Sequence, residues 1–130
     1  MRENPRSDMV FISSAATLRY AANGAPYNMG KAAMEGLAYT LANEERPNGM
    51  HVNIVAPGLV DTAMGTRLAQ AVAGVEDIHE LDASMPYGRV CQPADIARVV
   101  RFLCSEDAGY VTGEKITVHG GGQDLGSNNR

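Results

Sequence analysis

Two short apolar runs, Met9-Val10-Phe11-Ile12 and His51-Val52-Asn53-Ile54-Val55-Ala56, stand on either side of one long stretch with helical character. Neither run shows the strict alternation of a half-exposed strand, so both read as buried strands. Two strands joined through a helix cannot form a hairpin. They lie parallel, with a right-handed crossover. This unit fixes the fold class as α/β: a short parallel sheet of about three strands with helices packed on it.

The first strand is expected at residues 9–13, behind a polar lead-in at 1–8. Residues 17–26 read as a loop holding Asn23-Gly24, and Pro26 can open a helix. The spacing predicts that helix over 27–45, ended by Pro47-Asn48-Gly49. Gly30, Ala32, Ala33, Gly36 and Ala38 permit close approach, and Met34, Leu37 and Leu41 supply bulk. The second strand follows at 51–56. A short helix is expected over 62–70, with Asp61 as its N-cap, and residues 74–85 are ambiguous. Gln92-Pro93 leads into a helix over 94–104 with Ile96, Val99, Val100 and Leu103 as its apolar stripe and Arg98 and Arg101 facing out. Residues 105–109 read as a turn, 116–118 as a third strand, and the tail from 123 as loose. No internal repeat is visible, and a single partial domain is expected, without a second one.

A formal net charge of −4 gives no electrostatic case for nucleic acid or an anionic membrane as partner. No apolar stretch is long enough to span a bilayer, and the charged start does not resemble a signal peptide. Cys91 and Cys104 lack Cys-x-x-Cys spacing and read as reduced thiols in packing roles, with a disulfide or metal the lesser alternative. His51, His79 and His119 share no ligand spacing, so surface or structural roles are expected rather than metal binding. The methionines read as core or pocket residues. Together these features suit a cytoplasmic protein.

Chemistry concentrates just after the first strand. Ser14 stands at the strand end, and Tyr27 and Lys31 are four residues apart on one face of the helix. A phenol ionises near pH ~10 and is a poor base at neutrality. A neighbouring ammonium stabilises the phenolate, which makes the phenol a candidate acid/base toward a substrate oxygen. Ser14 could hold the same oxygen. Ser13, on the opposite strand face, reads as structural.

Ser14, Tyr27 and Lys31 in this spacing resemble the catalytic signature of the short-chain dehydrogenases/reductases. Three later stretches match in order: Asn53-Ile54-Val55-Ala56-Pro57-Gly58-Leu59-Val60-Asp61-Thr62, Pro93-Ala94-Asp95-Ile96-Ala97, and residues 110–121 ending in His119-Gly120-Gly121. The resemblance covers residues 9–122 and corresponds to the C-terminal half of the family's Rossmann-like domain. It implies hydride transfer between NAD or NADP and a small carbonyl or alcohol. Tyr27 would exchange the proton, Lys31 would lower the phenol's pKa and bond the nicotinamide ribose, and Ser14 would position the substrate oxygen. Pro57, Gly58, Val60 and Thr62 would meet the nicotinamide end of the cofactor. The stretch Pro86-Tyr87-Gly88-Arg89-Val90 looks most like 3-oxoacyl-carrier-protein reductases and related sugar or alcohol dehydrogenases.

The family's Gly-rich loop, its NAD/NADP-selecting residue, its Asn-Asn-Ala-Gly stretch and its catalytic Asn have no counterpart here. Gly120, Gly122 and Gly126 satisfy Gly-x-Gly-x-x-x-Gly, but too few residues follow for the helix such a motif needs. The expectation is a truncated chain, poorly active alone, with an unpaired edge on its first strand. The rival reading is a non-catalytic remnant that associates with itself or a full-length relative. Under either reading a homo-oligomer is expected, since the family's long helix commonly forms subunit contacts. Gly30, Ala33 and Gly36 would suit such contacts or packing on the sheet equally well.

Overall fold

The computed structural model describes residues 1–122. The order of elements is β1 (Ser7–Ile12), α1 (Ala25–Glu45), β2 (Met50–Pro57), α2 (Ala63–Ala73), α3 (Pro93–Leu103) and β3 (Lys115–Val118), with short 3-10 turns between them. The strands form one parallel sheet in the order β1-β2-β3. The strand-helix-strand reading therefore holds. Among the described residues β1 pairs on one side only, with Ser7 opposite Met50 and Ile12 opposite Val55.

α1 packs on the sheet through small residues. Ala38 and Ala42 meet Met50, Val52 and Ile54, with Met9, Phe11 and Leu41 closing the margin. Full burial of each Val or Ile contributes about 1.5–3 kcal/mol. Along β2, Asn53 and Val55 face the other side of the sheet from Val52 and Ile54. Asn53 is 1% exposed, and its amide bonds through both its nitrogen and its oxygen. It donates to Val111 O at 3.0 Å and accepts from Glu114 N at 3.0 Å, which sets the approach to β3. α3 lies against β1 and β2, with Leu103 fully buried. A second small core, Ala69, Ile78 and Val90 with Leu59, Val75, Leu81 and Met85, lies under α2.

Three expectations need correction, and one ambiguity is resolved. The lead-in is not free of packed structure: β1 begins at Ser7. Arg2 clamps the end of α1 by an ion pair with Glu45, and Arg6 bonds Asp8 and Ser105 O. Asp61 does not cap α2; Thr62 does, its Oγ1 accepting from Gly65 N at 3.0 Å. The Asp61 carboxylate is instead drawn to Gln92 Nε2 and the His79 ring. The ambiguous stretch contains a 3-10 helix, Ile78–Ser84, opened by an Asp77/Glu80 capping box. Met29 and Met64 are exposed rather than packed, as is Cys104, while both cysteines are free thiols. Gly126 and the tail expected to be loose lie outside the described residues.

Candidate active site

All three strands end at the same edge of the sheet, and ligands of open parallel sheets bind in the crevice beyond that edge. The backbone passes from Ile12 through Ser13, whose N–H still donates to Val55 O at 2.8 Å. Ser14 then turns away in extended conformation and caps a 3-10 turn, Ala15–Leu18. Its Oγ accepts from Ala16 N at 3.1 Å. A hydroxyl whose lone pair is held by a backbone N–H still has its own proton to donate outward.

Tyr27 lies in the first turns of α1, started by Pro26, and is 47% exposed. Its hydroxyl has no hydrogen-bond partner among the described residues. Lys31 sits one turn further on. Its Nζ stands 5.7 Å from the centre of the Tyr27 ring, within cation–π range. The same ammonium donates to Ile12 O at 2.9 Å, a carbonyl two residues before Ser14. The structure thus brings Ser14, Tyr27 and Lys31 to one end of the sheet.

The four residues expected to face a cofactor lie at that same end, Pro57 as the last residue of β2 and the others just after it. Gly58 N donates to Val118 O at 2.9 Å, continuing the ladder past Pro57. Val60 forms an isolated bridge with Cys91. The Thr62 hydroxyl is spent on both counts: it accepts from Gly65 N and donates its own proton to Val60 O at 3.3 Å. Gly65 allows the first turn of α2 to lie against the segment that leads into it, since a Cβ there would lie 1.9 Å from Val60 O.

A cavity of about 300 Å³ opens beside these groups, lined in part by Ala15, Gly58, Leu59, Met85, Tyr87 and His119. Of the seven expected site residues only Gly58 lines it; it flanks the Ser14 turn through Ala15. Its cationic wall residue, Arg89, is neutralised by Asp95, at 3.0 Å between Nη2 and Oδ1. Hydrogen bonds from Arg89 and from Gln92 N hold the Asp95 carboxyl well below the usual range. Burial is the main cause that pushes the Cys91 thiol upward, away from thiolate chemistry. No group of three or more potential metal ligands occurs among the described residues.

Sequence reasoning missed a buried polar cluster behind Ser14. Glu35, one turn beyond Lys31, is 9% exposed. It meets Lys115 Nζ at 2.9 Å, accepts from Thr17 Oγ1 at 2.8 Å, and accepts from Ser13 Oγ. Burial alone would raise the Glu35 carboxyl. The hydrogen bonds from Ser13, Lys115 and Thr17, with the ammonium's charge, outweigh burial and hold it below its ordinary value. The available signal was a charged residue on the sheet-facing side of α1, between Lys31 and Ala38.

Comparison with known proteins gives the chain relatives in sequence and in fold. A family model described as enoyl-(acyl carrier protein) reductase matches residues 1–123. The human "Dehydrogenase/reductase SDR family member 4" is 38% identical over 121 residues, which are 93% of this chain and 42% of that protein. The chain therefore spans less than half the length of this curated relative. Among solved structures, a 7α-hydroxysteroid dehydrogenase complexed with NADH and 7-oxo glycochenodeoxycholic acid superposes with a TM-score of 0.81 at 32% identity, covering 96% of this chain and 48% of that one. A glucose/ribitol dehydrogenase-type protein from Brucella melitensis gives a TM-score of 0.76 at 36% identity, covering 88% and 44%.

Proposed function

The chain belongs to the short-chain dehydrogenase/reductase family, and we propose that it takes part in hydride transfer between NAD or NADP and a small carbonyl or alcohol, with Tyr27 as general acid/base. The observation that carries this reading is the placement of Lys31. Its ammonium is fixed between the Tyr27 ring and the strand end that leads to Ser14.

The spare donors fit a nicotinamide ribose and a substrate oxygen. Lys31 spends one of its three N–H groups on Ile12 O, Ser14 retains its O–H, and the Tyr27 hydroxyl is uncommitted. The nicotinamide, when bound, supplies or accepts the hydride. In reduction, Ser14 donates to the carbonyl oxygen and holds it, and Tyr27 passes its proton to that oxygen. Lys31 stabilises the phenolate that remains and offers its other N–H groups to the ribose hydroxyls. In oxidation the proton returns to Tyr27. Pro57, Gly58 and Val60 supply the cofactor-facing surface after β2. Thr62 contributes least of the four, because its hydroxyl is committed to the α2 cap.

The cavity wall favours an uncharged substrate, because Arg89 already has its counter-ion in Asp95. No helix among the described residues is long and apolar enough to cross a membrane, in keeping with the cytoplasmic setting we propose. The test is oxidation of NADH and of NADPH by the whole chain against uncharged ketones, in wild type and Tyr27→Phe. Turnover that Tyr27→Phe abolishes supports the reading, and turnover indifferent to that change refutes it.

A second reading, self-association, rests on a different observation. Met29, Gly30, Ala33, Gly36 and Leu37 all lie on the exposed side of α1. A Cβ placed on Gly30 or Gly36 would meet nothing within 4 Å. These small residues therefore do not serve packing on the sheet, and they leave an apolar face to which a second α1 can come close. Light scattering on wild type and Leu37→Glu tests it.

A further inference from the structure

We propose that Thr17, Glu35 and Lys115 are positioning residues for Ser14, working as one proton-ordered unit behind the site. The proposal rests on the reading of Ser14 as the group that holds the substrate oxygen.

The argument is a count of protons. Thr17 Oγ1 has a single hydrogen and two acceptors within reach, Ser14 O at 2.9 Å and Glu35 Oε1 at 2.8 Å. Lys115 Nζ donates to the same hydroxyl at 2.6 Å, so the Thr17 proton must point away from the ammonium. Glu35 Oε1 is already supplied by Ser13 Oγ and by Lys115. Glu35 Oε2 takes a further Lys115 bond at 3.0 Å. Three other hydrogen bonds reach the carboxylate, so the one Thr17 proton, which serves either Glu35 Oε1 or Ser14 O, is free to serve the Ser14 carbonyl. That bond, the shorter of two that Ser14 O accepts from Thr17 (the other is from Thr17 N at 3.3 Å), fixes the Ser14 peptide plane and, with it, the Oγ held by Ala16 N.

The unit also joins the three parts that must stay in register. Ser13 and Thr17 flank Ser14, Glu35 shares α1 with Tyr27 and Lys31, and Lys115 opens β3. Stability alone gives little reason to keep such a cluster. Desolvating two charges often costs as much as their attraction returns, and apolar residues of similar volume commonly serve as well. A fixed geometry at Ser14 is a reason that stability does not supply. Removing Lys115 leaves Glu35 short of donors, so the Thr17 proton swings to the carboxylate and the Ser14 carbonyl keeps only the longer bond from Thr17 N, at 3.3 Å.

The experiment reads Ser14 directly, through hydrogen exchange of the Ala16 amide in the whole chain, with Ser14→Ala marking full loss of the Ser14 Oγ bond. Thr17→Val and Lys115→Met are expected to speed Ala16 exchange about fivefold or more. Thr17→Ser, which keeps the hydroxyl, is expected to restore the wild-type rate. The amides of Val52, Ile54 and Val55 should keep their protection, whereas a merely structural role would loosen them in step with Ala16. Unchanged Ala16 exchange in Thr17→Val, or a rise matched across β2, overturns the proposal whether or not the chain turns over substrate. Where wild type is active, Thr17→Val is expected to lower kcat about tenfold or more with KM nearly unchanged. An inactive wild type with the expected Ala16 pattern would remove the catalytic reading and leave the positioning intact.

Discussion

The ammonium of Lys31 stands 5.7 Å from the centre of the Tyr27 ring while bonded to the carbonyl of Ile12. One side chain thus ties the helix bearing the phenol to the strand that delivers Ser14. Lys31→Met removes the charge and keeps most of the stem, and Lys31→Arg keeps the charge but spreads it over a planar fork. Under the proposed chemistry, Lys31→Met should lower kcat/KM about a hundredfold or more. Lys31→Arg should recover only part of it. Steady-state rates with NADH and NADPH decide the matter, and equal rates for Lys31→Met and wild type would remove Lys31 from the reaction.

Gly65 and Gly36 predict opposite signs for the same substitution. At Gly65 a new Cβ would lie 1.9 Å from Val60 O, so the first turn of α2 must move off the Val60 backbone. Gly65→Ala should cost about 1–3 kcal/mol or more. At Gly36, inside α1, the space is open, and Ala there should stabilise by about 0.5–1 kcal/mol through helix propensity. Urea unfolding of both variants checks the pair.

Much of this was legible in the sequence because it depends on local signals. The apolar runs at 9–12 and 51–56 found β1 and β2, Pro26 found the start of α1, and the stripe from Ile96 to Leu103 found α3. The cap of α2 was misplaced by one residue, because Asp61 and Thr62 can both accept the N-terminal N–H groups. What decides between them is that Asp61 is claimed by Gln92 and His79, partners that only folding brings near. The Glu35–Lys115 pair was invisible for the same reason, its members lying 80 positions apart. The Asp77/Glu80 box, by contrast, was written locally and was passed over.

His79 lies between two carboxylates from different segments, Asp82 at 3.3 Å and Asp61 at 3.4 Å. The hydrogen bond to Asp82, then the charges of Asp61, Asp82 and Asp77, raise it above its ordinary value despite some desolvation. A raised folded value means its contribution is complete below the unfolded value, near pH ~6.5, and fades as pH climbs through the folded value. Wild type should therefore melt above His79→Gln at pH ~6, with the gap narrowing toward pH ~9. A gap that stays constant across that range would assign His79 a packing role instead.

Glu45 works in the opposite direction. Hydrogen bonds from Arg2 and Asn48, with the Arg2 charge, lower its carboxyl to about 2. A depressed folded value gives stability that is present above the unfolded value, near pH ~4.3, and is lost as pH falls toward the folded one. Arg2→Gln should therefore unfold more easily than wild type at neutral pH, and the two curves should converge as pH falls toward ~2. Acid titrations followed by circular dichroism check it, with high salt as a control that weakens the exposed Arg2 end of the pair.

The exposed face of α1 yields the last prediction. Leu37 is 52% and Met29 70% exposed on the same side as Gly30, Ala33 and Gly36. Isolated apolar residues on a surface are ordinary, but a row along one helix beside open glycines lets two backbones approach and bury the row together. Leu37→Glu leaves the sheet-facing residues Ala38 and Ala42 untouched, so the fold should persist. In a self-associating chain it should reduce the mass found by light scattering to that of one copy, because a carboxylate in the seam meets its own copy across a two-fold axis. Leu37→Ala should weaken the association without abolishing it. A wild type that runs as a single copy at all concentrations would leave α1 a surface helix, and the Lys31 and Tyr27 experiments would then report on an isolated site.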